Sequence, residues 1–222
     1  MDPVINLIMI ITGKFRSTGS VSFVKPLTIG DFYGGGYYAG DFTLTPNGGV
    51  AQYRLIVSPK SSGETTSGWG NTSGVTTSEI DGWANSNLLN SAANPPAAFC
   101  RGLTINGYND WYWPARYELE LLYYNLKPTT TNNVTYRFRN SGDNLYAIPP
   151  RNTAYGTQVP ARTSVPLFQS TGSEAFDATY YWGSTNEWPS APYCFFMSMS
   201  NGDLNFGSGG SLRIRAVRRV AI

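Results

Sequence analysis

Leu103-Thr104-Ile105-Asn106-Gly107-Tyr108-Asn109-Asp110-Trp111-Tyr112-Trp113-Pro114 is the stretch on which the reading of this chain turns. It places a glycine turn, an Asn-Asp pair and consecutive large aromatics between two segments of helical character. Trp111, Tyr112 and Trp113 carry much apolar surface and are expected to plug the centre of the domain. Asn109 and Asp110 then satisfy loop amides or cap a helix. A calcium site built on Asn106, Asn109 and Asp110 is the competing reading. Its few oxygens fall short of the roughly six to eight that calcium takes, so no metal is expected.

Working outward, residues 114–126 predict a helix. Pro114 stands at its first turn, Glu118 near the positive end, and Lys127-Pro128 closes it. On the other side, residues 81–91 and 96–103 predict one helix or two short ones, with Gly107 past the end. Further upstream, Gly34-Gly35-Gly36 forces a bend. Residues 37–45 and 50–58 then flank Pro46-Asn47-Gly48-Gly49, the signature of a hairpin. Residues 51–57 become continuously apolar, as a central strand does. Residues 61–78 are almost wholly Ser, Thr, Gly and Asn around Trp69, which predicts a long loop with Trp69 as a candidate contact. Residues 212–220 alternate aliphatic side chains with arginine, giving a last strand with one greasy and one cationic face. Strands, then two helices, then loops and strands predict an α+β fold of twisted, mostly antiparallel strands with long ordered loops.

Residues 1–30 differ in character and are read as an N-terminal arm before a domain spanning 31–222. Residues 4–11 are nearly all aliphatic, either a core strand or an arm buried against a neighbouring subunit. A homotrimer is expected, because such a run would otherwise expose an aggregation-prone edge. The run is too short to span a bilayer. Asp2 precedes it and Lys14 and Arg16 follow it, the reverse of a secretory signal, so neither membrane insertion nor export is expected.

Composition narrows the function. Charged residues make up 14%, against roughly a quarter in ordinary domains. The deficit is filled by Gly, Ser, Thr and Asn with 15 Tyr, 11 Phe and 6 Trp, the mixture of recognition loops as well as of turn-rich β proteins. Net charge is +2, and the cluster Arg213, Arg215, Arg218 and Arg219 reads as structural pairing, so nucleic acid is not an expected partner. Histidine is absent, which removes the commonest general base and every Ser-His or Cys-His nucleophile pair. Cys100 and Cys194 are too few for a zinc framework; buried thiols or one disulfide both stay open. Glu118 and Glu120 point in different directions on one helix and form no carboxylate pair. Neither catalysis nor a cofactor is expected.

The aromatic stretch has company. Pro59-Lys60-Ser61-Ser62-Gly63-Glu64, Asp81-Gly82-Trp83-Ala84-Asn85, Ala97-Ala98-Phe99-Cys100, Tyr181-Trp182-Gly183-Ser184-Thr185 and Arg215-Ala216-Val217-Arg218-Arg219-Val220 follow in order. Together, from about Gly34 to Val220, they resemble the C-type lectin-like domains of bacteriophage tail fibres and receptor-binding proteins. That family is related in fold to phage tropism determinants and to formylglycine-generating enzymes. The resemblance implies a virion protein that binds a host cell-surface glycan or protein and assembles with other virion proteins. It places the ligand face between the Trp-x-Ser-Thr and Arg-Ala-Val-Arg-Arg motifs. The candidates there are Asn186, Glu187, Trp188, Tyr193, Asn201, Asp203 and Asn205, with Phe206 beside them and Trp69 as an outlying contact. Phe195, Phe196 and Met197 are assigned to the core. A formylglycine-generating oxidase would need a reactive cysteine pair, and both cysteines stand in apolar settings that favour inert thiols. A structural virion component, such as a capsid decoration or baseplate adaptor, and a bacterial surface adhesin are the alternatives.

Overall fold

The computed structural model describes residues 26–70, 75–136, 142–187 and 193–222. The apolar run at 4–11 lies outside the described residues. Among these, the chain runs β1 (Phe32–Tyr33), β2 (Gly36–Phe42), β3 (Tyr53–Val57), α1 (Lys60–Gly63) and β4 (Glu64–Gly68). It continues through α2 (Gly82–Leu88), α3 (Pro95–Arg101), α4 (Arg116–Leu126) and β5 (Ala147–Ile148) to a 3-10 turn at Pro166–Phe168. It ends with β6 (Tyr180–Asn186), β7 (Cys194–Ser198), β8 (Leu204–Gly207), β9 (Ser211–Arg215) and β10 (Val217–Ala221). The fold is α+β with four helices among the described residues: the region 81–103 takes its two-short-helix form as α2 and α3, and α1 was not expected. The first sheet has the order β1-β2-β3-β10 with β5 against β2, and the second has β4-β9-β6-β7-β8. All pairs are antiparallel except β6 with β9.

Tyr112 shows why the aromatic stretch organises the rest. Its backbone N–H donates to Val217 O at 2.7 Å, and Val217 N–H donates back at 2.9 Å, so residues 111–113 run extended beside β10. Side chains of an extended segment alternate in direction. Tyr112 therefore enters one hydrophobic cluster with Leu55, Leu119 and Leu122, while Trp111 and Trp113 enter a second with Ile56, Cys100 and Ile214. All three rings are fully buried. Gly36 makes room for this wall: a Cβ there would lie 2.3 Å from Val57 O and 3.1 Å from the Trp111 ring.

The hairpin forms as expected between β2 and β3, with Asn47 at φ 52° and Gly49 at φ 67° in the turn. Three expectations need correction. Residues 61–78 are not one loop, because α1 and β4 occupy 60–68 and β4 pairs with β9 from Glu64↔Arg215 to Gly68↔Ser211. The last strand is two strands in different sheets, broken at the fully buried Ala216. Of its arginines, Arg215 and Arg218 are buried while the Arg213 side chain is 40% exposed. The long helix starts at Arg116 with Ala115 as N-cap. Ala115 has no side-chain oxygen, so the Glu118 carboxylate reaches back and accepts from its N–H at 2.8 Å.

Glu118 also accepts from Gly82 N–H at 3.1 Å and from the Tyr112 hydroxyl at 2.5 Å. It thereby joins the start of α2, the aromatic wall and α4. Glu120, fully buried on the same helix, accepts instead from Gly142 N–H at 3.4 Å. Burial pushes both carboxyls from the ordinary 4.5 up to about 7. An acid that holds its proton more tightly folded than unfolded stabilises the fold at low pH, and that advantage disappears once pH passes the folded value. Between about pH 4.5 and 7 each group lowers stability with a slope of up to about 1.4 kcal/mol per unit. The melting temperature is therefore expected to fall from about pH 5 to about pH 8, and Glu120→Gln is expected to flatten that slope. A melting temperature that is flat or rises over this range contradicts the buried placement of these acids.

Candidate functional site

One face of the second sheet carries an aromatic cleft. Tyr180 and Trp182 lie two residues apart on β6 and so share a face. Trp182 stands opposite Phe196 on β7, and Phe196 stands opposite Asn205 on β8. The Phe196 ring meets Tyr180 at 5.2 Å and 89° and Trp182 at 5.3 Å and 86°, so it is gripped edge-to-face from both sides. Phe206, Gly207, Ser208 and Leu212 complete a cleft of about 440 Å³. Phe195 and Met197 turn the other way and are fully buried, as expected. Phe196 packs partly buried against the second cluster and also lines the cleft, because strand alternation splits the apolar run between two faces.

Polar groups are few and specific. Asn205 is exposed at the rim, its Oδ1 accepting from Phe206 N–H at 2.9 Å. Trp182 is 2% exposed, and its indole N–H has no hydrogen-bond partner. Asp203 accepts from the hydroxyls of Tyr180 at 2.9 Å and Tyr136 at 2.8 Å, which fixes the Tyr180 ring at the cleft wall. Burial and this hydrogen bond raise the Tyr180 hydroxyl above the usual phenol range, so it stays a neutral donor. No protein-family model, curated protein or solved structure matches this chain. The site is therefore argued from its geometry alone.

The structure brings only part of the expected ligand face to the cleft. Asn205 lines it, and Asp203 acts on it through Tyr180. Asn186 instead fastens β6 to the segment before α2: its Nδ2 donates to Val75 O and its Oδ1 accepts from Thr77 Oγ1 at 2.5 Å. Asn201 caps the β7–β8 turn, accepting from Asp203 N–H at 3.2 Å. Glu187 donates its backbone N–H to Tyr193 O at 3.0 Å, and the exposed Tyr193 side chain lies outside the cleft lining. Trp69 packs half-buried against the second cluster, and Trp188 lies outside the described residues. The sequence reading passed over Tyr180; Trp182 and Phe196 do belong to the second cluster, and the structure adds that they line the cleft as well.

Elsewhere several charged groups are paired internally. Arg218 grips Asp110 through Nε at 2.7 Å and Nη2 at 2.8 Å and stacks 3.9 Å from the Tyr108 ring centroid. That occupies the acid expected as a possible calcium ligand, and Asn106 donates its Nδ2 to Gly35 O at 2.9 Å. Arg213 pairs with Asp177 at 2.6 Å and Arg219 with Asp81 at 2.9 Å. Burial opposes ionisation of Asp177, but Lys60 and Arg213 beside it hold its carboxyl below the usual range. Cys100 and Cys194 are both buried and form no disulfide, and burial pushes the Cys100 thiol up, away from reactivity. Among the described residues no group of three or more Cys, Asp or Glu is placed to hold a metal ion, and no helix is long and apolar enough to cross a membrane.

Proposed function

We propose that this chain is a C-type lectin-like recognition module of a bacteriophage virion that grips a host cell-surface glycan or protein non-covalently. The ordered motifs between Gly34 and Val220 support the fold reading. The cleft carries the functional one: rings of Tyr180, Trp182 and Phe196 beside the exposed amide of Asn205. Aromatic faces stack on the apolar face of a sugar or fill a protein pocket, and the amide supplies orientation. No step here needs a nucleophile, a metal or a cofactor. A homotrimeric virion protein, anchored through residues 1–30 to other virion proteins, is the assembly this reading implies.

Ser208→Trp fills the cleft from an exposed turn position, and Asn205→Ala removes its rim amide. Both are expected to leave stability within about 1 kcal/mol. Adsorption of the full chain to a panel of bacterial strains is expected to fall about thirtyfold for Ser208→Trp, the effect of losing about 2 kcal/mol of contact. If adsorption is unchanged while particle assembly stops, the structural-component reading replaces this one.

A further inference from the structure

With the aromatic cleft as the gripping site, as proposed, its walls bear on whether a glycan or a protein fills it. Among the described residues, no charged side chain lines the cleft. Asp203, which acts on it only through Tyr180, is already engaged by the hydroxyls of Tyr180 and Tyr136. A charged guest therefore finds no counter-ion in the walls, and an uncharged one is favoured.

The hydrogen-bonding capacity of the walls is nearly spent. The Tyr180 hydroxyl gives its proton to Asp203, and Asn205 Oδ1 accepts from Phe206 N–H. The Trp182 indole N–H is buried, and Gly207 is paired with Cys194 in the ladder. The side-chain groups that remain are the Asn205 amide NH2 and the Ser208 hydroxyl, both at the exposed rim beside the turn backbone. A pyranose carries hydroxyls around its whole edge, and each one buried here without a partner keeps its desolvation penalty. An apolar side chain brings no such penalty.

Shape points the same way. A sugar stacks by laying the C–H groups of its flat side on an open ring face. Trp182 is only 2% exposed and offers no such platform. Phe196 meets Tyr180 at 89° and Trp182 at 86°, so the rings form a corner and not a floor. Leu212 adds an aliphatic wall to a cleft of about 440 Å³. A bulky side chain entering this corner meets ring edges and faces at right angles, the contact that aromatic groups favour.

We propose that the cleft receives one bulky uncharged side chain, aliphatic or aromatic, presented by a host surface protein. The rim amide of Asn205 and the Ser208 hydroxyl bond the peptide groups on either side of that anchor. An apolar anchor in a pocket ringed by polar groups is the usual arrangement at the centre of a protein contact.

The test is saturation-transfer NMR on the full chain with two sets of probes. N-acetyl-leucinamide and N-acetyl-tryptophanamide represent the anchor; methyl glucoside and N-acetylglucosamine represent a glycan. The side-chain protons of the capped amino acids are expected to take saturation, and the sugars none. Ser208→Trp, which fills the cleft, is expected to lower the capped amino-acid signal about tenfold. Ser208→Glu sets a carboxylate at the same exposed turn without filling the cleft. It is expected to lower that signal at least threefold, whereas a bound sugar would gain an acceptor for its hydroxyls. The proposal is overturned if no capped amino acid takes saturation, if Ser208→Trp or Ser208→Glu leaves their signal unchanged, or if the sugars carry the signal that Ser208→Trp removes. In that last case the cleft remains the gripping site with a glycan as its guest. The gripping role itself fails on a different result, Ser208→Trp adsorbing to cells as well as the unaltered chain does.

Discussion

Trp111→Ala is expected to cost about 3–5 kcal/mol of stability, the range for emptying a large buried aromatic site. Trp111 is fully buried in the second cluster, and its indole N–H donates to Tyr108 O at 3.0 Å. Truncation leaves a cavity that β2 and β3 cannot close, because the strand register around Gly36 and Val57 is fixed on both sides of it. It also strips the Tyr108 carbonyl of its partner, next to the ring on which Arg218 stacks. Thermal unfolding should show the midpoint dropping by about 10 °C or more. A loss below about 1 kcal/mol, typical of surface positions, would mean that the wall between the two clusters is not where the stability resides. Trp182→Ala is not a pure folding lesion. Trp182 is both buried and part of the cleft wall, so its truncation lowers stability and binding together.

Arg215→Ala is the second large lesion, also expected at about 3–5 kcal/mol, for an electrostatic reason. The fully buried guanidinium donates to Ser58 O at 3.0 and 2.8 Å, to Glu174 O at 2.7 Å and to Glu174 Oε2 at 2.7 Å. Glu64 lies 3.8 Å away, and the Phe176 ring centroid 5.0 Å. Burial raises the Glu64 carboxyl above its usual range even with Arg215 and Lys60 opposing. Removing Arg215 leaves Glu174 and Glu64 buried against one fewer positive charge. Replacing the pair together, Arg215→Met with Glu174→Leu, is expected to recover much of the loss, since well-packed apolar residues often substitute for a buried pair at little cost. Urea unfolding at constant m-value measures both. A double variant as unstable as Arg215→Ala alone would show that the backbone contacts at Ser58 and Glu174 dominate instead.

What the sequence made legible follows from which signals are local. The hairpin around Asn47 and the aromatic stretch at 111–113 announce themselves within a dozen residues, because turn chemistry and ring burial depend on near neighbours. The pairing of the terminal arginines was readable as a class, but not by partner. Asp177, Glu174, Asp110 and Asp81 lie far along the chain from the arginines they meet. β4 stayed hidden because Thr65, Thr66 and Ser67 look like loop until β9 lies beside them. Ala216 gives no local sign that the chain changes sheets there. The cleft was misplaced for a related reason. Phe195-Phe196-Met197 is a continuous apolar run, and periodicity alone does not say which of its faces another layer covers.

The aromatic wall also sets where this chain is free to vary by descent. Trp111, Tyr112 and Trp113 each answer to neighbours in one cluster while their shared backbone answers to both. A substitution on one side therefore disturbs the packing on the other. The turn at Ser208-Gly209-Gly210 has the opposite character. A Cβ at Gly209 or Gly210 would meet no atom within 4 Å, so only their left-handed backbones, at φ 80° and 76°, limit what replaces them. Substitution at the rim of the cleft is therefore expected to leave the folding intact, while substitution in the wall is not.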